Sequence, residues 1–274
     1  MRTWFITGAS RGFGLLFVKK ALELGDNVIA TARNPKSVMN ALGEHSNLLA
    51  IPLDVTNAED AYNAVVTGIA KFGTIDIVIN NAGFGLLGAV EESQESDIKP
   101  LFETNVYGTL NVIRAVLPQL RIQKSGHIIN ISSIGGVEAF AGYGVYSATK
   151  FAIEGITEAL AKEVNPLGIK ATVVEPGFFR TDFLDDSSLR RTEVIIEDYK
   201  DTVGQVRSAA EQYNHAQPGD PDKLAEAIVK LVNAKEAPIR LGLGSDTIAV
   251  TEAKMKSVAV EMEKWKSVSL STDF

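Results

Sequence analysis

The chain has 274 residues, 45% hydrophobic and 22% charged, which fits one α/β domain, with or without a modest insert. Its formal charge of −7 argues against nucleic acid as the main partner, because a phosphate backbone needs a basic face and no Lys/Arg-rich run is present. It has no cysteine, which removes disulfides, thiolate nucleophiles and thiolate-bound metals.

In chain order, Thr3–Thr7 reads as an apolar strand. No leader precedes it, and no apolar run approaches the ~18 residues of a membrane helix, so a cytoplasmic protein without a membrane partner is expected. A glycine-rich turn follows, Thr7-Gly8-Ala9-Ser10-Arg11-Gly12-Phe13-Gly14, and then a helical pattern through Leu15, Leu16, Val18 and Leu22. Further strands are predicted at Asn27–Thr31, Leu48–Leu53, Ile75–Asn80, Gly126–Ile131 and Lys170–Val174, with Ile239–Leu243 as a seventh. Apolar strands alternating with helices predict a parallel sheet of six to seven strands covered on both faces. The expected fold is a single-domain doubly wound Rossmann fold spanning residues 1–274.

Two segments break the rhythm. Residues 184–216 are polar, with Ile195, Ile196, Tyr199, Val203 and Val206 at roughly helical spacing before the Pro218-Gly219-Asp220-Pro221 turn. They read as a surface helical hairpin or as a substrate lid. The lid is preferred, because ligands bind at the carboxyl ends of such sheets. Residues 250–274 are expected to hold a C-terminal amphipathic helix, Val250–Trp265, and a tail. Val258, Met262 and Trp265 share one face, for core packing or an oligomer contact. His45, His127 and His215 lack helical metal spacing and read as surface or turn histidines, so no metal is expected.

Glycines between a strand and a helix let the backbone approach a pyrophosphate, while the helix N-terminus offers N–H groups and a favourable dipole. The spacing here is G-x-x-x-G-x-G rather than G-x-G-x-x-G. An NAD-binding chain would place an acid near the end of the second strand to hold the ribose 2′-hydroxyl. This chain has Thr31-Ala32-Arg33-Asn34 there. Arg33, with Arg11 in the turn, suits the 2′-phosphate of NADP(H), each charge-assisted contact being worth about 1.5–3 kcal/mol. The plainer alternative is that Arg33 only solvates a strand end.

Carbonyl reduction needs a hydride donor and a proton donor at oxygen. Lowering a tyrosine pKa from about 10 to near 7 takes about 4 kcal/mol. One cation about 4 Å away supplies that at an effective dielectric of about 20. Lys150 lies four residues after Tyr146, on the same face of a helix whose buried stripe is Ile153, Ile156, Leu160 and Val164. Ser132 and Ser133 both end the preceding strand, and alternation points them apart, so one of them can meet a substrate oxygen.

Together these motifs resemble the short-chain dehydrogenase/reductase family over about residues 2–182. The turn Thr7 to Gly14 is followed by Asp54-Val55, Asn80-Asn81-Ala82-Gly83, Thr104-Asn105-Val106, Ser133, Tyr146-Ser147-Ala148-Thr149-Lys150, Pro176-Gly177 and Thr181. The resemblance implies that Gly8, Ser10, Arg11, Gly12, Phe13 and Gly14 line the pyrophosphate and adenosine ribose. Asp54 and Val55 would flank adenine, and Asn81, Ala82 and Gly83 the ribose side. Pro176, Gly177, Phe179 and Thr181 would stand at the nicotinamide end. It selects Ser133 over Ser132, makes Lys150 a further ribose ligand, and gives Asn105 a water that relays protons towards Lys150. Gly135, Gly136, Tyr143 and Phe183 become pocket walls. The C-terminal third looks most like the hydroxysteroid and retinol dehydrogenase branch. Family members commonly pair through helices corresponding to Asp97–Ile122 and Tyr146–Val164, which implies a homodimer or homotetramer.

The expected function is therefore an NADP(H)-dependent carbonyl reductase or alcohol dehydrogenase. Ser133 and Tyr146 bind oxygen, Tyr146 moves the proton, and Lys150 lowers its pKa. Phe84, Leu86, Tyr143, Phe178, Phe183 and Leu184, with few charges nearby, predict an apolar or aromatic carbonyl substrate. The alternatives are a non-catalytic NADP(H)-binding regulator, which would need no Ser–Tyr–Lys set, and an epimerase or dehydratase, which generally carries another glycine spacing and a longer substrate domain.

Overall fold

The apolar strands are buried on both faces. The structure, a computed structural model, describes residues 1–274. Its strands are β1 (Thr3–Ile6), β2 (Asn27–Ala32), β3 (Leu48–Pro52), β4 (Ile77–Asn80), β5 (Gly85–Leu87), β6 (Gly126–Ile131), β7 (Ile169–Pro176), β8 (Leu189–Arg191) and β9 (Arg240–Leu243). The helices are α1 (Gly12–Glu23), α2 (Lys36–Leu42), α3 (Ala58–Phe72), α4 (Glu95–Phe102), α5 (Gly108–Gln123), α6 (Gly144–Val164), α7 (Gln205–Tyr213), α8 (Pro221–Asn233) and α9 (Ser245–Leu270).

Seven strands form one parallel sheet in the order β3-β2-β1-β4-β6-β7-β9. Alternate residues serve opposite layers. Trp4, Ile6, Val28 and Ala30 pack with Phe17 and Val18 of α1 and Leu224 and Ile228 of α8. Phe5, Ile29 and Val78 pack with Val65 of α3, Val112 and Val116 of α5 and Leu160 of α6. This is the doubly wound arrangement expected. A buried polar chain then fixes α6 to the sheet: Asn80 Nδ2 donates to Asn130 Oδ1 at 2.8 Å, and Asn130 Nδ2 donates to Thr157 Oγ1 at 2.8 Å.

Several sequence expectations need correction. Three-residue strands β5 and β8 form a second, parallel ribbon, too short for a periodic signal. In the 184–216 segment, Ile195 and Ile196 lie outside any helix; the helical run that ends in α7 starts as a 3-10 turn at Glu197–Tyr199 and passes through a π-helical turn at Lys200–Gly204. Helix α9 starts earlier than expected and runs longer. Its Val258, Met262 and Trp265 are exposed, Met262 at 69% and Trp265 at 63%, so this face does not pack into the core. His127 is not a surface residue. It lies buried on β6, its Nε2 2.9 Å from Thr172 Oγ1 on β7.

Burial, with a smaller push from Lys170, drives the His127 pKa from 6.5 down to about 4. Between those values the unfolded chain binds a proton that the fold refuses, so stability falls as pH falls through the window. The loss approaches about 3 kcal/mol for this residue. Urea unfolding across the window should show a shallower pH slope for His127→Asn than for the wild type. Equal slopes would contradict the assignment.

Candidate active site

The glycine turn leaves β1 at the crevice between β1 and β4, where the strand order reverses. Gly8 and Gly12 have φ of 63° and 52°, left-handed backbone that glycine adopts without a Cβ penalty. A Cβ on Gly8 would also stand 3.0 Å from the Ala82 backbone. Gly14 does not line the cleft as expected. A Cβ there would overlap the Gly8 carbonyl, so Gly14 sets how closely α1 approaches the turn. The start of α1 has no side-chain cap and no acid in its first turn, which leaves its N–H groups for an anion. The turn therefore fits a dinucleotide pyrophosphate.

Thr7 and Asn81 hold the turn's shape. Thr7 Oγ1 accepts the Asn81 and Ala82 N–H groups at 3.0 Å each, while Asn81 Nδ2 donates to the Thr7 and Gly8 carbonyls at 3.0 and 3.2 Å. A cleft of about 660 Å³ runs from here. Gly8, Ser10, Gly12, Phe13, Arg33, Asp54 and Val55 line one end, with Asn81, Ala82 and Gly83 beside the turn. Pro176, Gly177, Phe179 and Thr181 bound the far side, so most of the expected cofactor residues meet in one cavity. Arg33 lies exposed on its rim. Arg11 also lines it, but its guanidinium donates to the Ser187 carbonyl at 2.6 Å, which ties the turn to the lid segment rather than pairing it with Arg33.

At the cleft's foot α6 presents Tyr146 and Lys150, both nearly buried, at 7% and 8% exposure. Lys150 Nζ donates to the Ile131 carbonyl at 2.9 Å and sits 5.7 Å from the Tyr146 ring centre. Ser133 lines the same cavity just beyond β6, its Oγ accepting the Gly135 N–H at 3.0 Å. Ser132 is the buried one of the pair, as alternation requires. Burial pushes the Tyr146 phenol well above the ordinary tyrosine range. The Ser133 hydroxyl pulls it back in part, and Tyr143 adds to the rise. Burial lowers the Lys150 ammonium to about 8, and Glu154 resists that fall.

Asn105 sits in a π-helical turn, Glu103–Tyr107, whose wide geometry is often a functional mark. Its amide is engaged with protein. Oδ1 accepts the Phe84 N–H at 3.1 Å, and Nδ2 donates to the Phe84 carbonyl at 2.9 Å and to Thr149 Oγ1 at 3.1 Å. This side chain positions the loop after β4 and is not part of the cleft's lining.

Phe84, Phe140, Tyr143, Phe183, Leu184 and Val206 line the substrate end. Tyr146 lies 5.7 Å from the Phe183 ring centre and 6.3 Å from that of Tyr143. Two expected walls are absent: Leu86 is buried in the core beneath, and Gly136 packs on Ser132 and Glu154. The wall is also more charged than expected, with Asp182, Asp186 and Arg190 present. Arg190 stacks on the Phe84 ring at 4.4 Å. Lid residues Leu184, Leu189 and Ala210 pack on Leu87. Glu92, fully buried, staples the lid by accepting the Ala89 and Ile196 N–H groups at 2.7 and 2.9 Å and pairing with Arg207. Sequence reasoning missed Glu92, and it missed Glu154, whose signal was present as a second step of four residues, from Tyr146 through Lys150. At the lid, His215 Nε2 meets Asp185 at 3.2 Å, beside the exposed Asp182.

Comparison with known proteins places these features in context. Residues 2–192 match the family described as short chain dehydrogenase. The chain is 39% identical over 273 residues to "Oxidoreductase BOA17" of Botryotinia fuckeliana, covering 99% of each. It is 40% identical over 253 residues to the "3-ketodihydrosphingosine reductase" of Bacteroides thetaiotaomicron, covering 92% of this chain and 91% of that one. A solved short-chain dehydrogenase from Streptomyces avermitilis superposes with a TM-score of 0.91 at 39% identity over 100% of both chains.

Asn105→Ala strips both Phe84 backbone groups of their partners and should cost about 2 kcal/mol of stability. Asn105→Asp, which keeps the acceptor but turns a buried carboxylate towards the Phe84 carbonyl, should lose at least as much. Urea midpoints check this, and an Asn105→Ala protein as stable as the wild type would refute the positioning role.

Proposed function

The chain belongs to the short-chain dehydrogenase family, and we propose that it reduces an apolar ketone or aldehyde with NADPH, through Tyr146, Lys150 and Ser133. The observation that carries this reading is a buried Tyr146 phenol in reach of both the Lys150 ammonium and Ser133, at the foot of the cleft that begins in the glycine turn.

When bound, the dinucleotide supplies hydride in reduction and takes it up in oxidation. The chain's own residues do the rest. The Ser133 hydroxyl and the Tyr146 phenol donate hydrogen bonds to the substrate oxygen, and Tyr146 gives up its proton as negative charge develops there. Burial disfavours the phenolate, so the proton stays on Tyr146 until that charge develops. The Lys150 ammonium, over the phenol ring, stabilises the phenolate left behind, and it is also placed to bind the nicotinamide ribose. Asn105 contributes by fixing the loop that carries Phe84.

Arg33, on the cleft rim where an acid would select NAD, supports NADP(H) over NAD(H). The aromatic and aliphatic wall supports an apolar substrate, as does the relative named for reducing a keto compound. The exposed Tyr107 and Phe151, on the two helical surfaces by which family members pair, support self-association as a homodimer or homotetramer.

NADPH oxidation over neutral aldehydes, aryl ketones and alkyl ketones should reveal turnover, with NADH weaker. Tyr146→Phe should cut kcat by about 10²–10⁴-fold while NADPH affinity holds. Arg33→Ala should weaken NADPH by about tenfold or more and leave NADH nearly unchanged. Full turnover by Tyr146→Phe would refute the mechanism. Binding of NADPH without oxidation of any carbonyl would favour a regulatory role.

A further inference from the structure

Lys150 does not stand alone on α6. One turn further along is Glu154, and Glu175 on β7 lies within hydrogen-bonding reach of it. Both carboxyls are buried, at 6% and 4% exposure. Ser132, the buried hydroxyl just beyond β6, lies beside Glu154 across Gly136. Neither Glu154 oxygen nor the Ser132 hydroxyl has a partner in full hydrogen-bond geometry, in a fold whose other buried polar groups are mostly matched. The cation beside the pair is Arg240 of β9. Its Nε is 3.3 Å from Glu154, and it is shared with Glu158 on the outer turn of α6.

Two carboxyls in contact in a water-poor site cannot both ionise readily, and one proton between them satisfies both. Other charged residues on the packed elements pair elsewhere: Glu158 also meets Lys162, and Glu138, beyond the Ser133 turn, meets Lys254 of α9.

We propose that Glu154 and Glu175 share one proton and act as a positioning pair whose single negative charge keeps Lys150 an ammonium. The inference rests on the reading that Lys150 supports Tyr146. The direction of the shifts agrees with it. Burial and then the charge of Glu154 raise Glu175 to about 7, while burial raises Glu154 against the pull of Ser132 and Arg240. Lys150, lowered to about 8 by burial, is pulled back up by Glu154.

The test compares wild type, Glu154→Gln, Glu175→Gln and the double variant. Lys150 is titrated by NMR of its carbon-labelled side chain, assigned with Lys150→Met, and the pH profile of alcohol oxidation is recorded in parallel. Either single variant leaves one carboxyl, which then ionises alone, so Lys150 should move by less than about half a pH unit. The double variant removes the charge and should lower the Lys150 titration by about one unit or more, taking the alkaline limb of kcat with it while KM changes by less than about twofold. A double variant that titrates like the wild type overturns the proposal. So does a Glu154→Gln shift as large as the double's, because Glu154 would then act without a shared proton. If the double variant fails to fold, carboxyl-carbon NMR of the wild type decides. One glutamate titrating near neutrality with its partner ionised well below is expected, and two ordinary titrations would overturn the pair. Turnover by Tyr146→Phe would sink the catalytic reading instead, and the Lys150 titration would still judge the pair.

Discussion

A lysine ammonium buried at the foot of a cleft is the constraint that organises this molecule. Such a charge is costly away from water unless partners surround it. Here the Ile131 carbonyl at the end of β6 supplies one, and the buried Glu154, one helical turn on, supplies counter-charge. Both require α6 to lie at a fixed height over β6 and β7. The Asn80–Asn130–Thr157 chain sets that height in the core, well away from the chemistry. Tyr146 and Ser133 take their places once it is set.

The other half of the cleft depends on close approach between backbones. Gly8 and Gly14 leave no room for side chains between the turn, α1 and the Asn81–Ala82 backbone, and Thr7 and Asn81 stitch those segments together. Pyrophosphate-binding backbone and proton-donating phenol therefore sit on two rigid walls of one cavity. The substrate wall is built differently. Residues of β8 and α7 are pinned through Glu92, a buried carboxylate. Burial alone would raise its pKa, but the Ile196 and Ala89 amides and the Arg207 guanidinium hold it below its usual range. That wall thus depends on a single polar staple.

The sheet, its strand positions and the glycine, serine, tyrosine and lysine residues were legible in the sequence because each leaves a local mark. Apolar runs mark strands buried on both faces, and a four-residue step marks one helical face. What escaped depends on partners distant in sequence. Glu92 meets Ile196 and Arg207 more than a hundred residues away, β5 finds β8 across a similar gap, and His127 is buried because β7 brings Thr172 to it. Gly136 was placed on the cleft by the family resemblance and Leu86 as part of an apolar pocket, yet Gly136 packs on Ser132 and Glu154 and Leu86 lies in the core. The apolar face of α9 carried the right period for packing, but the fold offers it no surface to pack on. A bare distance estimate of the pull of Lys150 on Tyr146 omits the burial of the phenol, which opposes it.

The coupling of Lys150 to Tyr146 is most directly tested by ultraviolet difference titration of tyrosinate, taking each protein minus its Tyr146→Phe counterpart, with saturating NADP⁺. It should be run with lysine and with methionine at position 150. The expected result is a Tyr146 phenolate that forms at lower pH when Lys150 is present than when methionine replaces it. Coincident titrations in the two backgrounds would contradict the coupling and leave Lys150 as a cofactor ligand alone.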